Sequence, residues 1–340
     1  MHPVLFEVTL NHAAMLLGVF GAGIAVQIFV ARARLIWTIV LALAAVALSS
    51  QLPPRTLPVY AYGVMLGASV IAGWAMVLFL GRRFERLQPD QLGRPILLTG
   101  LFALVGARFL FVLTNPALWA EPGRWFALAE GGMVAYGGFL GGLFGGWIAW
   151  RGTRVSLLTW GDLVAPTLGL GLGLTRIGCY LYGCDFGVPL GPSAPAWLRA
   201  LGTFPRGSPA FTTHVTGYGL SPDAIASLPV HPTELYESVA GLLIFLACLR
   251  VWRTRRFPGQ VLFTFAALYG TWRFGIEWLR DDPQRGAWLE LSTSQLISLA
   301  IVPLTLVLWR VVSARAAVQA APARTSRRAP RVRGAPSPAR

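Results

Sequence analysis

The feature that most constrains this chain is the alternation of long apolar runs with short gaps that hold nearly all of its arginine. Runs of about 17–25 apolar residues, the length a helix needs to cross a hydrocarbon layer, recur at roughly 13–31, 35–50, 58–80, 95–114, 131–150, 157–183, 233–252, 261–280 and 294–312. Only 13% of residues are charged and the mean hydropathy is +0.58, whereas a soluble domain carries about a quarter charged residues. Too little polar surface remains to cover a globule in water, and disorder is excluded everywhere but the C-terminal end. The pattern predicts an all-α, polytopic integral membrane helical bundle of about nine transmembrane helices, with a small external head segment.

The net charge of +15 comes from 29 basic and 14 acidic residues, and every basic residue is Arg. Such a balance can signal nucleic-acid binding, but these Arg are arranged by topology. With the N-terminus outside, Arg32, Arg34, Arg82, Arg83, Arg86, Arg94, Arg151, Arg154, Arg250, Arg253, Arg255, Arg256, Arg310 and the whole tail fall on one face. Only Arg55, Arg124, Arg199, Arg206, Arg280 and Arg285 fall on the other. Positive residues mark cytoplasmic loops, which gives nine spans, N-terminus outside and C-terminus cytoplasmic. Met1 to Phe6 lacks the basic start of a cleavable leader, so the first span is expected to stay. Three cysteines, Cys179, Cys184 and Cys248, are too few for a disulfide framework or a CxxC zinc site, and no metal or cofactor is expected. The division that follows is 1–57 as an N-terminal transmembrane hairpin and 58–312 as the main membrane domain. Within that domain, about 184–230 forms a Pro/Gly-rich external head or lid holding His214. Residues 313–340 make a basic, disordered cytoplasmic tail drawn to anionic lipid.

Two further patterns concern the interior. Glycines from Gly131 to Gly146 give repeated small-xxx-small pairs, which suit close helix packing. The doublets around Tyr136, including Gly137 and Gly138, also suit a backbone approached by a ligand. Three Arg fall within spans: Arg108, Arg176 and Arg273. A buried guanidinium must find a carboxylate, carbonyls, a wet cavity or an anion. Arg273 and Glu277 share a helical face at i,i+4, while Asp162 and Arg176 lie about 21 Å apart along one straight helix and cannot pair. Either each Arg ties helices together, or the three serve an anionic ligand; guanidinium binds phosphate bidentately and stays charged. Three clusters reach one membrane level: Arg176 to Gly187, His231 to Glu237, and Arg273 to Arg280. That places a polar pocket near the outer leaflet.

These clusters resemble bacterial prolipoprotein diacylglyceryl transferases. The resemblance covers about 58–312 and rests on ordered motifs: Tyr62-Gly63, Gly106-Ala107-Arg108, Gly-Gly-Met-x-x-Tyr-Gly-Gly at 131–138, Asp162, Arg176-Ile177-Gly178, Gly187, His231-Pro232-x-x-Leu235-Tyr236-Glu237 and Arg273-Phe274-x-x-Glu277. It implies transfer of diacylglyceryl from phosphatidylglycerol to the lipobox cysteine of a preprolipoprotein, with release of glycerol phosphate, in the bacterial cytoplasmic (inner) membrane. Partners would be phosphatidylglycerol, the preprolipoprotein signal peptide and membrane lipid, with no nucleic acid. By the same resemblance Arg176 and Arg273 would clamp the phosphate, Glu277 would orient Arg273, and Tyr62, Tyr136 and His231 would position headgroup or thiol. Arg108, Asp162, Gly137, Gly138, Cys179, Asp185, Gly187, Tyr236 and Glu237 would line the substrate site, Gly187 by letting backbone pass close to lipid. Tyr136 stands where some members have His.

Two positions depart from the family pattern: Cys179 replaces a usual Asn, and Cys184 a usual Glu, with Asp185 next to it. Three readings compete. In one, Asp185 stands in for the missing carboxylate by a small shift. In the others, the cysteines are inert packing residues in a weakened site, or a disulfide or reactive pair with altered chemistry. At i,i+5 on an unbroken helix they are too far apart to bridge, so a disulfide requires a break near Gly183. The span pair before residue 58 looks inserted, since Met1 to Phe6 resembles the segment that normally precedes the first shared span. The rival readings are an altered or inactive paralogue that binds phospholipid, and a lipid or anion transporter. The transporter is disfavoured because the break near Arg176 has no echo in the N-terminal half.

Overall fold

The computed structural model describes residues 4–9, 56–127, 132–153, 155–281, 287–288 and 291–320. The expected spans at 13–31 and 35–50, Gly131 and the tail beyond 320 lie outside the described residues. Strand β1 (Val4–Thr9) pairs antiparallel with β2 (Thr56–Tyr60), setting Thr9 opposite Thr56. Helices follow directly: α1 (Ala61–Phe84), α2 (Pro89–Thr114), α3 (Ala135–Trp150) and α4 (Leu157–Tyr182). Two short helices, α5 (Ala196–Leu201) and α6 (Pro209–Gly217), lie in the expected head segment. Then come α7 (Thr233–Thr254), α8 (Gln260–Ile276), a short hairpin of β3 (Ala287–Trp288) and β4 (Leu291–Ser292), and α9 (Thr293–Ala320).

Seven helices thus stand where seven of the apolar runs predict them. Five (α1, α2, α4, α7 and α9) are long and apolar enough to cross a membrane. The other two are shorter, α3 at 16 residues and α8 at 17, and a 3-10 turn over Glu277–Leu279 prolongs α8. The last helix runs to Ala320, past the boundary of 312 read from hydropathy.

Local chemistry explains several ends. Pro89 opens α2 behind a reciprocal cap in which the Gln88 and Gln91 side chains serve each other's backbone N–H groups. Ser156 accepts from the Thr159 N–H to start α4, and Gly183 in the left-handed region (φ +82) stops it. Glycine-rich α3 is a poor helix by propensity, and its docking on α2 compensates. A Cβ at Gly137 would strike the Gly106 carbonyl, and one at Gly141 the Phe102 carbonyl. This is the close-packing reading of the glycine run, and Gly137 is consumed by it; Gly138 faces Ala103 and Ala107 on the same helix.

The central helix, α4, packs on α1, α7 and α8, while α9 packs on α8. The main apolar core gathers at the Asp162 end of α4, around Leu80, Leu92, Trp160, Leu163, Cys248 and Val261. A smaller core of Phe186, Phe204, Ala210 and Val230 holds the head segment against the other end. Between them the helices part around a cavity of about 1310 Å3.

Candidate active site

Each end of α4 carries a buried acid–arginine cluster. At the start of the helix, Asp162 is fully buried and its carboxylate is saturated. It accepts from the backbone N–H groups of Gly259 (2.8 Å), Val261 (2.9 Å) and Leu262 (2.9 Å). Arg255 pairs with it at 3.2 Å and also pairs with Glu85. The first N–H groups of a helix need acceptors, and Gly259, at the start of α8, has no side chain to offer one. Asp162 supplies that cap from a neighbouring helix. It does not line the cavity that the Arg176 end of the helix faces.

At the far end of α4 the arrangement differs, with several guanidiniums sharing carboxylates among themselves. Arg176 meets Asp185 at 2.6 Å through Nη1 and Glu237 at 2.9 Å through Nε. Arg280 bridges the same two carboxylates, at 2.6 Å to Asp185 and 2.9 Å to Glu237. Arg273 lies 2.5 Å from Glu277, the i,i+4 partner expected, and 3.9 Å from Glu237, and it donates to the Ser294 hydroxyl at 3.2 Å. Three guanidiniums and three carboxylates from α4, the turn after it, α7, α8 and the turn after α8 form one cage. The three sequence clusters do converge. Asp185 holds its place in a left-handed conformation (φ +65), and its carbonyl accepts from the Thr233 hydroxyl at 2.9 Å.

The cage opens on the cavity, where Tyr62, Tyr136, Arg176, Cys179, Asp185 and Arg273 all lie in the lining. Those are six of the sequence-predicted site residues. Glu237 and Glu277 stand behind the lining and hold its guanidiniums. Others are placed elsewhere. Arg108 donates to the carbonyls of Trp125 (2.9 Å), Gly132 (3.0 Å) and Arg124 (2.5 Å) and lies over the Phe111 ring, so it ties the connection after α2 to the start of α3. Gly187 is tight against protein: a Cβ there would strike the Leu279 and His231 carbonyls, and its N–H donates to His231 O at 2.9 Å. His231 pairs by backbone with Val188, and its ring nitrogen sits 3.4 Å from the Tyr236 hydroxyl. Tyr236 lines a separate apolar groove of about 440 Å3 between α7 and α8. Neither His231 nor Tyr236 reaches the main cavity.

Sequence reasoning missed three residues here. Arg280 counts as an external loop residue by position, yet it is 7% exposed and completes the cage. Tyr269 lines the cavity one helical turn before Arg273, and the series 269, 273, 277 at i,i+4 steps was the signal that could have found it. Glu234 is fully buried in the first turn of α7, and neither of its carboxylate oxygens has a hydrogen-bond partner among the described residues.

Cys179, Cys184 and Asp185 bring their ligand atoms within 4.8 Å of one another, the spacing of a possible metal site. Both Asp185 oxygens are already committed to Arg176 and Arg280, and Arg176 Nη1 lies 3.9 Å from the Cys179 sulfur. A fixed positive charge beside the ligand set opposes a cation there and favours anions. Outside the spans, burial in the head segment pushes the His214 pKa down despite the opposing pull of Asp281. Burial and a 2.7 Å hydrogen bond to Asp281 push the Tyr218 hydroxyl up to about 12.

Comparison with known proteins covers the stretch of chain that holds the cage. The family model described as prolipoprotein diacylglyceryl transferase matches residues 50–311. A Gloeobacter violaceus protein named phosphatidylglycerol–prolipoprotein diacylglyceryl transferase is 32% identical over 266 residues, covering 77% of this chain and 91% of its own length. A Geobacter sulfurreducens protein of the same name is 31% identical over 264 residues (75% and 91%). A Clostridium perfringens protein with that name and the suffix 2 is 30% identical over 250 residues (72% and 88%).

Proposed function

The chain belongs to the prolipoprotein diacylglyceryl transferase family, and we propose that it transfers a diacylglyceryl group from phosphatidylglycerol to the lipobox cysteine of a preprolipoprotein. The observation that carries this reading is the guanidinium cage of Arg176, Arg273 and Arg280 at the wall of a cavity roomy enough for a lipid headgroup and its first chain carbons.

In the transfer, the lipobox thiol gives up its proton and its sulfur bonds to the glycerol unit while the carbon–oxygen bond to phosphate breaks; glycerol phosphate leaves with the electron pair, and the proton passes to it or to solvent. Negative charge therefore concentrates on the phosphate oxygens as the bond breaks. Fixed donors in a partly dry site stabilise that charge more in the transition state than in the ground state. Glu237 and Glu277 set the planes of Arg176 and Arg273 before substrate arrives. Asp185 plays a different part. Its side chain is 30% exposed, against 1% for Glu237 and 7% for Glu277. It sits on a turn and spans two guanidiniums as a phosphate would. We assign it as the carboxylate that yields its place to the headgroup. Tyr62 and Tyr136, in the lining, would orient headgroup or thiol, while His231 anchors the turn around Gly187.

The same reading places the chain in a bacterial cytoplasmic membrane. The seven described helices that match apolar runs, plus a span pair within residues 10–55, would make nine crossings, with the N-terminus outside and the tail cytoplasmic. Pairing of Thr9 with Thr56 returns the chain to its point of departure, as an even number of crossings requires. The three-part division at about 57 and 312 belongs to this proposal, with the last helix carried on to Ala320.

The test is direct. Purified protein, phosphatidylglycerol and a synthetic lipobox peptide should yield a peptide carrying a diacylglyceryl thioether, read by mass spectrometry, and the Arg176→Ala protein should yield none. A folded wild type that gives no thioether would overturn the proposal.

A further inference from the structure

We propose that Cys179 and Cys184 form a redox-active dithiol that closes to a disulfide across the turn ending α4. On an unbroken helix, residues five apart point away from one another. Here the helix stops at Tyr182 and Gly183 turns left-handed (φ +82). The Cys184 N–H swings back to donate to Cys179 O at 3.2 Å, beside the Gly183 N–H at 2.8 Å. This helix-ending turn sets a residue just past the cap against the last helical turn. The Cys184 sulfur lies 3.8 Å from the Cys179 carbonyl, and the two sulfurs are within 4.8 Å of one another. A disulfide needs Cα atoms about 4.4–6.8 Å apart, a separation that residues joined by such a hydrogen bond supply.

The two thiols have different roles. Arg176 Nη1 sits 3.9 Å from the Cys179 sulfur, so the first thiol lies beside a fixed positive charge. Cys184, which donates toward Cys179 and is largely buried, has its own ionisation pushed up. Cys179 also lines the main cavity, which gives a reagent its path. The Cys179 thiolate attacks one sulfur of an exogenous small dialkyl disulfide, forming a mixed disulfide and releasing the first thiolate. Cys184 then gives up its proton and attacks the Cys179 sulfur, releasing the second. The protein loses two protons and two electrons, and the exogenous disulfide becomes two thiols. Closure stiffens the turn that carries Asp185 to Arg176 and Arg280.

Full-length protein in nanodiscs would be equilibrated with graded ratios of oxidised to reduced glutathione, quenched by alkylation in denaturant, and its thiols counted by mass spectrometry. Of the three cysteines, two should be lost together and recovered as one linked Cys179–Cys184 peptide. Cys248, fully buried in the main core, should stay alkylatable. Cys184→Ser should stop at a glutathione adduct on Cys179. Hydrogen exchange of the amides at 183–187 should slow severalfold on oxidation. Three alkylated thiols at every ratio would overturn the proposal. So would reduced protein that retains one equivalent of added zinc through dialysis and forms no disulfide. None of these readouts involves diacylglyceryl transfer, so their failure is distinct from failure of the proposed function.

Discussion

The two ends of α4 hold the same ingredients, buried carboxylate and arginine, and use them in opposite ways. At the Asp162 end one carboxylate meets three backbone N–H groups and one guanidinium, and every lone pair is spent on protein. It is surrounded by the main apolar core. At the Arg176 end three guanidiniums share carboxylates beside a large cavity, and one of those carboxylates is exposed enough to move. A saturated buried charge is a structural tie. A cage with donors to spare, facing open space, is a place for a ligand.

The sharpest way to break that comparison is to exchange the arginines. Arg176→Lys keeps the charge that balances Asp185 and Glu237 but loses the fork. Transfer should fall by about 100-fold or more, with the thermal midpoint close to wild type. Arg273→Lys should behave alike. Transfer within threefold of wild type in either would return these residues to a structural role. Next in size, Asp162→Ala should cost about 3–5 kcal/mol of stability, because Arg255 loses a partner and the start of α8 loses its cap. Turnover per folded molecule should hold, and a lost turnover with an unshifted midpoint would move Asp162 back into the site.

Smaller effects sharpen the boundary of the cage. His214 is buried against Phe186 and Tyr218, and that burial pushes its pKa down. Because its folded pKa lies below the unfolded value of about 6.5, the unfolded chain binds the extra proton first. Stability should therefore be fully present above that pH and decline as pH falls through it. A His214→Phe variant should show a flatter profile in thermal unfolding between about pH 7 and 5. A wild type whose midpoint is constant over that range would refute the sign. Smallest is Glu234→Gln. Glu234 makes none of the ion pairs that its neighbour Glu237 makes, and the swap should shift stability by less than about 1 kcal/mol. Glu237→Gln should cost several times more, and equal losses would show that Glu234 belongs to the cage.

Much of the architecture was legible in the residues alone. Seven of the apolar runs became helices, with the bounds of α2 and α9 off by six and eight residues, because a run of that length has no other way to satisfy its backbone in lipid. The glycine run read as close packing from Gly141 to Gly146, with Gly137 read toward a ligand; in the fold Gly106, Gly137 and Gly141 together let α2 and α3 touch backbone to backbone. Arg273 with Glu277 followed from helical spacing, and the break at Gly183 was the stated condition for bringing Cys184 back toward Cys179. Partner choice was not legible. Arg108, Arg176 and Arg273 look alike in sequence as span arginines, yet three carbonyls take the first and carboxylates take the others.

The sequence by itself determined that this chain builds a helical membrane bundle and which three clusters share one level of it. Those properties depend on local composition and period. Only the tertiary structure decided that Asp162 caps α8, that Arg280 turns inward and that Gly187 admits two neighbouring carbonyls. Each of these joins segments distant along the chain, from about 43 residues between Arg280 and Glu237 to about 100 between Leu262 and Asp162. A hydrogen bond or ion pair of about 3 Å is set by where helices pack, and no pattern within either segment encodes it.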